Sequence, residues 1–409
     1  MRLATRPALT PVRQAYLAVF VLSVSISIQS AVFPPFAQAV GYEVATVGFL
    51  VSVFSVFSLV SRLPAGALLS GRAAPWAAAG ATVLLALATA GYGLVPALPS
   101  LTAMRALSGL AYGVVGTLNM AILMGAIERR EQRAAATGWY LGWLAAGNAV
   151  GGFLCGWLAD AVGYQATFLV SALVLLLAVP LVAARHPAVA GPSRGTGEGQ
   201  GRPPWTWMFR MPLLVSGLQA FNVNALSQLI WTFYMLYGLE IGLTLSLLGL
   251  HRGAYSTTSM VARPLVARLT RWVSYSSMAT WGLVITAGVT LLVPVLGSFL
   301  PLLVLNIVLG GLRAGALVGS MVAAVEYAGE DPRKRGMAAG MYSFATDAAN
   351  VLTPLVGGLV AERIGLAATF WAMPLGLITV YLGLLAVSAW QGGRGRLPPP
   401  VAPDAVAPR

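Results

Sequence analysis

About twelve apolar runs, each of roughly 20 residues, constrain this chain more than any other feature. They cover approximately 14–37, 45–69, 75–95, 99–124, 135–158, 164–184, 209–236, 245–268, 275–295, 300–325, 337–360 and 367–389. Wound as a helix, a run of that length spans the hydrocarbon layer of a bilayer. Lipid offers no partner for an unpaired backbone group, so each run is expected to be a transmembrane helix. Composition agrees. The chain is 58% hydrophobic and 9% charged, where a soluble protein carries roughly a quarter of charged residues. A net charge of +13 would ordinarily raise nucleic acid as a partner. Here the arginines sit at the ends of apolar runs, not on a polar domain, so no nucleic acid is expected. The first run follows Arg2, Arg6 and Arg13. It is too long for a signal peptide and no small-residue cleavage site closes it, so it reads as the first span. The single cysteine, Cys155, excludes a disulfide framework.

The runs are arranged twice over. Sliding residues 338–370 back by 202 positions lays them on 136–168 (338 − 136). Ala136, Gly138, Tyr140, Ala146, Asn148, Gly156, Ala159, Gly163, Ala166, Thr167 and Phe168 then meet Ala338, Gly340, Tyr342, Ala348, Asn350, Gly358, Ala361, Gly365, Ala368, Thr369 and Phe370. The preceding loops match in kind, Glu131-Gln132-Arg133 against Arg333-Lys334-Arg335, and Gly48 and Arg62 correspond to Gly249 and Arg263. Two homologous halves in tandem are expected, a building plan of solute transporters. The first half is 1–184 and the second 209–390. Residues 185–208, rich in Gly, Pro and Ser, read as a linker. Trp205, Trp207 and Phe209 then sit at the headgroup level. The Pro- and Arg-rich stretch 391–409 reads as a disordered tail. With the N-terminus inside, 21 of the 25 basic residues fall on cytoplasmic segments and helix ends. This leaves Arg105, Arg252, Arg313 and Arg363 elsewhere and predicts a multi-pass protein of the cytoplasmic (plasma) membrane, a cell inner membrane, with both termini inside.

Three glycine motifs point to a family. Gly66-Ala-Leu-Leu-Ser70-Gly71-Arg72 follows the second run, with Ser70 where an acid would complete the pattern. The fourth run holds Arg105-Ala-Leu-Ser-Gly109-Leu-Ala-Tyr112-Gly113, and the fifth holds Gly147-Asn148-Ala-Val-Gly151-Gly152. Together with two six-helix halves and basic inner loops, they resemble the major facilitator superfamily. The fifth-run motif is similar to the G-P-x-x-G-G signature of that family's antiporters, with Asn148 in place of the proline. The resemblance implies an all-α integral membrane bundle of about 12 transmembrane helices in two pseudo-symmetric halves, working by alternating access. Gly66, Arg72, Gly109, Gly113, Gly147, Asn148, Gly151 and Gly152 would then be conformational-motif residues. Glycines four apart, including Gly311, Gly315 and Gly319, lay a smooth strip on one helix face, expected to let the halves rock.

Polar groups inside a membrane are costly without a partner or water. The fourth helix presents Arg105, Tyr112 and Asn119 at intervals of seven, hence on one face; the tenth presents Asn306, Arg313 and Ser320 likewise. In the family these helices line the central cavity. The seventh offers Asn224, Gln228 and Trp231; the first offers Gln29 among Ser23, Ser25, Ser27 and Ser30; the eighth offers Arg252, Ser256 and Ser259. Substrate-binding candidates are therefore Gln29, Arg105, Tyr112, Asn119, Asn224, Gln228, Trp231 and Arg313. Asp347 is the acid nearest the middle of any span, and its depth matches that of Arg313. The two are expected to pair, as a structural ion pair or as a proton-coupling unit with Asp347 as carrier.

A cavity with arginines and little negative charge favours a small anionic or neutral amphipathic solute. Coupling to protons, as a symporter or antiporter, is expected, with export slightly ahead of uptake on the helix-five motif. A lipid- or multidrug-handling protein of the same fold and an uptake permease are the alternatives. An enzyme is not expected: His186 and His251 have no acid at metal-ligand spacing, and no Gly-rich loop precedes a lysine. No cofactor or metal is implied, and a monomer is expected.

Overall fold

A computed structural model describes residues 10–68, 73–127, 129–183, 210–269, 272–329 and 331–394. The expected linker, Ser70, Arg72, Trp205, Trp207, Phe209 and most of the expected tail lie outside them. All regular structure among the described residues is helical. In chain order, α1 is Pro11–Ala39, α2 Val44–Leu68, α3 Ala74–Gly91 and α4 Leu98–Gly125. The helical stretch Arg130–Ala183 follows, with 54 residues. Such a helix, about 80 Å long, would overshoot any bilayer. It breaks at Gly163, where φ is 79° and ψ 170°, a conformation open to a residue without Cβ. We name its parts α5 (130–162) and α6 (164–183). Then come α7 Met211–Glu240, α8 Leu245–Leu269, α9 Tyr275–Thr290, α10 Phe299–Tyr327, α11 Pro332–Ile364 and α12 Leu366–Arg394, with a 3₁₀ turn at Val293–Val295.

Ten stretches among the described residues are long and apolar enough to cross a membrane; one of them, Ala135–Ala183, carries both α5 and α6. Helix α8 is not among them because His251, Arg252, Arg263 and Arg268 dilute it. Exposure follows a bilayer's logic. Trp76, Leu87, Trp139 and Leu173 are each more than 60% exposed, as expected where the solvent is as apolar as leucine. The most apolar windows of α1 and α7 are 67% and 72% buried, against 17% for α12. So α1 and α7 stand at the centre and α12 at the rim.

The duplication is written into the backbone. Positive-φ glycines turn the chain at Gly41 and Gly242, and again at Gly163 and Gly365, intervals of 201 (242 − 41) and 202 (365 − 163). Gly109 of α4 packs on the Phe54 carbonyl of α2, and Gly310 of α10 packs on the Tyr255 carbonyl of α8. Both members of the second pair lie 201 positions after the first. Ser27 of α1 donates to the Asn148 carbonyl of α5 at 2.9 Å, and Gln228 of α7 donates to Asn350 Oδ1 of α11 at 2.8 Å. These too are twins. The fold is a bundle of two pseudo-symmetric six-helix halves.

Candidate functional site

The halves meet along two seams, α2 with α11 and α5 with α8, with a lesser contact between α1 and α7. Helices α2 and α8 begin, and α5 and α11 end, on the face opposite the described chain ends; we call it the far face. The tightest contacts lie there. A Cβ on Gly48 would run into the Pro354 carbonyl, and one on Gly358 would approach the Val44 carbonyl. On the other seam, Gly156 lies on the Leu245 carbonyl and Gly152 lies against Gly253. Asp160 of α5 adds an acceptor at the start of α8, taking Ser246 N–H at 2.7 Å and Ser246 Oγ–H at 2.5 Å. A carboxylate there satisfies free N–H groups and complements the helix dipole. The far face is therefore shut by backbone-close packing.

This placement corrects the expectation for the glycine strips. Gly109 and Gly113 pack on α2, and Gly147 and Gly151 on α1, all within one half. A Cβ on Gly311 or Gly315 would meet no more than a side-chain methyl of Thr258 or Val266, at 3.7 and 3.8 Å. The glycines at the seams are Gly48, Gly152, Gly156, Gly249, Gly253 and Gly358. Of the motif residues whose surroundings are described, Gly152 and Asn148 alone meet the opposite half or the cavity. Gly66 lies in α2, and Arg72 is outside the described residues.

Beneath the seal lies a central chamber with two lobes. Lobe one, about 230 Å³, is walled by α1, α2, α4, α7, α8, α10 and α11. Lobe two, about 220 Å³, lies toward α5 and α8. Ile26, Ser30, Tyr112, Trp231, Arg252 and Arg313 line both. Gln29, Arg105, Asn224, Gln228 and Asp347 line lobe one. Seven of the eight substrate-binding candidates thus face the chamber. Asn119 does not: it is buried beside Tyr140 of α5, because a seven-residue step drifts around a 3.6-residue helix. Asn306 and Ser320 are likewise buried outside both lobes, bonded to the Leu302 and Leu317 carbonyls of their own helix.

The arginines set the chemistry. Arg105 is 4% exposed. Its Nε donates to the Leu50 carbonyl at 3.1 Å, and its guanidinium lies 4.2 Å from the Phe33 ring centre and 4.7 Å from that of Phe54. Aromatic faces stand in for part of its lost hydration. Arg252 and Arg313 flank Trp231, at 5.3 and 5.1 Å from its ring. Arg252 donates to the Trp231 carbonyl at 3.2 Å and, across the halves, to Ser30 Oγ at 2.8 Å. Arg313 Nε donates to Ser227 Oγ at 2.8 Å.

Asp347 does not pair with Arg313. It accepts from Arg62 of α2, with Nη1 at 3.0 and 3.2 Å from its two oxygens. Equal depth does not fix the direction a side chain faces. Arg313 turns toward α7, while the α2–α11 seam presents Arg62 to Asp347. Arg62 and Arg263, counted as helix-end charges, stand in the last two turns of α2 and α8 and line lobe one and lobe two.

Free donors outnumber free acceptors. Gln29 is 1% exposed; its Oε1 accepts from Thr89, but its Nε2 has no partner. Trp231 Nε1 is also unpartnered. Asn224 donates to the Ala220 carbonyl at 2.8 Å and to Thr346 Oγ1 at 3.3 Å. His251 is spent structurally, between Tyr234 Oη at 2.7 Å and the Phe299 carbonyl at 3.1 Å. No group of His, Cys, Asp or Glu among the described residues is arranged to hold a metal. Arg252 and Asn350 are chamber residues that the candidate set omitted. Membership of α8's polar face and of the repeat were the signals that marked them.

Comparison with known proteins completes the assignment. No curated protein sequence matches the chain. Among solved structures, a bacterial homologue of the human lysosomal transporter Spinster, in an inward-facing and unoccupied conformation, is similar with a TM-score of 0.74 and 13% identity. That alignment covers 95% of this chain and 98% of the other. The nucleoside transporter NupG is similar with a TM-score of 0.69 and 14% identity, over 92% of this chain and 99% of the other. At such identity these likenesses speak for the fold alone. The sequence itself matches the family model of the Major Facilitator Superfamily over residues 15–280 and 240–407. The chain belongs to the major facilitator superfamily and is a multi-pass membrane transporter, not an enzyme.

Proposed function

We propose that this secondary transporter carries a small organic anion across the cytoplasmic membrane by alternating access, with both termini in the cytoplasm. The charge balance of the chamber carries the reading. Arg62, Arg105, Arg252, Arg263 and Arg313 line its lobes, and among the described residues that do, Asp347 is the one acid. Asp347 is already bonded to Arg62. An anion would gain from several guanidiniums in a setting of low dielectric, while a cation would meet only repulsion. Gln29, Arg105, Tyr112, Asn224, Gln228, Trp231 and Arg313 are the proposed substrate contacts. Trp231 and Tyr112 supply flat surface for an apolar portion, so a neutral amphipathic solute rich in acceptors stands second.

In this reading the halves, 1–184 and 209–390, rock as units about the chamber. With both termini inside, the far face is the outer one, and its seal closes the chamber to the outside. Asp347 is the proposed proton carrier, with Arg62 as the partner that holds its charge between turnovers. Export is proposed on the helix-five glycine motif, and a vesicle flux assay in both directions decides it. Bound ligand raises the unfolding midpoint by linkage. A thermal-shift screen of anionic, cationic and neutral metabolites on detergent-solubilised protein is expected to return anions. Cationic hits without anionic ones would reverse the charge argument.

A further inference from the structure

The repeat is broken at one functional place. Arg62 and Arg263 are twins, 201 positions apart (263 − 62), and each reaches into the chamber from the inner part of its helix. On the α2–α11 seam Arg62 meets Asp347 at 3.0 Å. The twin of Asp347 lies 202 positions earlier (347 − 202), and that residue is Ala145. Ala145 lines lobe two together with Arg263. So the α5–α8 seam keeps the guanidinium and lacks the carboxylate. Among the described residues, nothing else in lobe two replaces it: those that line the lobe include Arg252, Arg263 and Arg313 and no acid. Folding such a cluster without a counter-charge costs free energy, unless the cluster exists to receive one.

Lobe one offers a separate set of donors. Arg105 and Gln29, whose Nε2 has no partner, line lobe one and not lobe two. The lobes join at Trp231, which lines both. A ligand with one acidic group satisfies one lobe and leaves the other cluster bare.

We propose that the transported solute is a two-headed organic anion: one carboxylate lies between Arg263 and Arg313 against Ala145, in the place that Asp347 fills on the opposite seam, and the other meets Arg105 and Gln29, with the connecting chain over Trp231. This rests on the anion-transport reading and adds the number and placement of the charges. Neutralising both clusters with one molecule tied to both halves also makes occupancy a condition for closing the inner mouth.

The probes are α,ω-dicarboxylates (glutarate, adipate, suberate) and monocarboxylates of matched length, with affinity measured on the purified full chain in detergent. A dicarboxylate is expected to bind at least about tenfold more tightly than its matched monocarboxylate. Ala145→Asp supplies the missing carboxylate to Arg263. It should cost the dicarboxylate about tenfold and leave the monocarboxylate within about twofold. Arg263→Gln, which adds no charge to the membrane, should bring the ratio of the two affinities close to one. Equal binding of mono- and dicarboxylates by the unaltered protein would overturn the two-headed ligand and leave the anion reading standing. Unchanged dicarboxylate preference in either folded variant would overturn the lobe-two subsite. Binding of no carboxylate at all, with cations bound instead, would remove the anion reading itself.

Discussion

At the scale of single residues, the chamber is a set of arginines held by means other than acids. Arg105 rests on Phe33 and Phe54, Arg252 on Trp231 and Ser30, and Arg313 on Trp231 and Ser227. Each keeps its positive charge uncancelled by carboxylate. Asp347 is the exception, with its charge met by Arg62. If Asp347 carries the proton, Asp347→Asn should reduce proton-driven flux at least about a hundredfold and spare substrate exchange, which needs no net proton movement. Full proton-driven flux by the Asn variant in proteoliposomes would reject that role. The sequence made Asp347 conspicuous as a lone acid at mid-span. It did not identify the partner, because Arg62 is 285 residues distant in the chain and depth along a helix says nothing of azimuth.

At the scale of elements, the far-face seal joins helix ends from opposite halves. Gly152 and Gly156 let α5 lie on the backbone of α8, and Asp160 caps α8 from across the seam. Removing that cap with Asp160→Ala should cost the closed seam about 1 kcal/mol, hence about a fivefold shift toward far-face opening. The protein carries its own reporter. Cys155 is the sole cysteine, fully buried between those glycines. Its labelling by a membrane-impermeant maleimide from the far side should accelerate about fivefold in Asp160→Ala. An unchanged rate would show that the cap does not hold the seam. The helices themselves were legible to within a few residues: 45–69 became Val44–Leu68 and 300–325 became Phe299–Tyr327. Larger departures came at α5, which begins at Arg130 ahead of 135, and at α11, which begins at Pro332 ahead of 337. Apolar content marks where lipid is, and α11 continues beyond it into polar residues.

At the scale of the molecule, two seams close one face. If the halves rock as rigid bodies, prying apart one seam must open the other. Gly48→Leu places a side chain against the Pro354 carbonyl of α11, on the seam opposite Cys155. The expected result is about a tenfold faster labelling of Cys155 on α5, although the substitution touches neither α5 nor α8. No change in rate, in a variant that still folds, would show that the seams open independently.

The sequence by itself determined the class of solvent, the helices and the doubling. Each follows from local rules: backbone groups in lipid must pair within their own segment, and homologous halves leave the same letters at a constant interval. It also marked most of the chamber, since Arg105, Tyr112, Gln228, Trp231 and Arg313 are polar or aromatic where lipid would exclude charge. Only the tertiary structure decided which of these meet. It turned Asn119 away from the chamber, gave Asp347 to Arg62, moved the inter-half glycines to Gly48, Gly156 and Gly358, and left Arg263 in a lobe where Ala145 stands in the place of an acid. Those outcomes depend on the rotation of each helix about its axis and on the tilt of one half against the other. Packing between distant segments sets both.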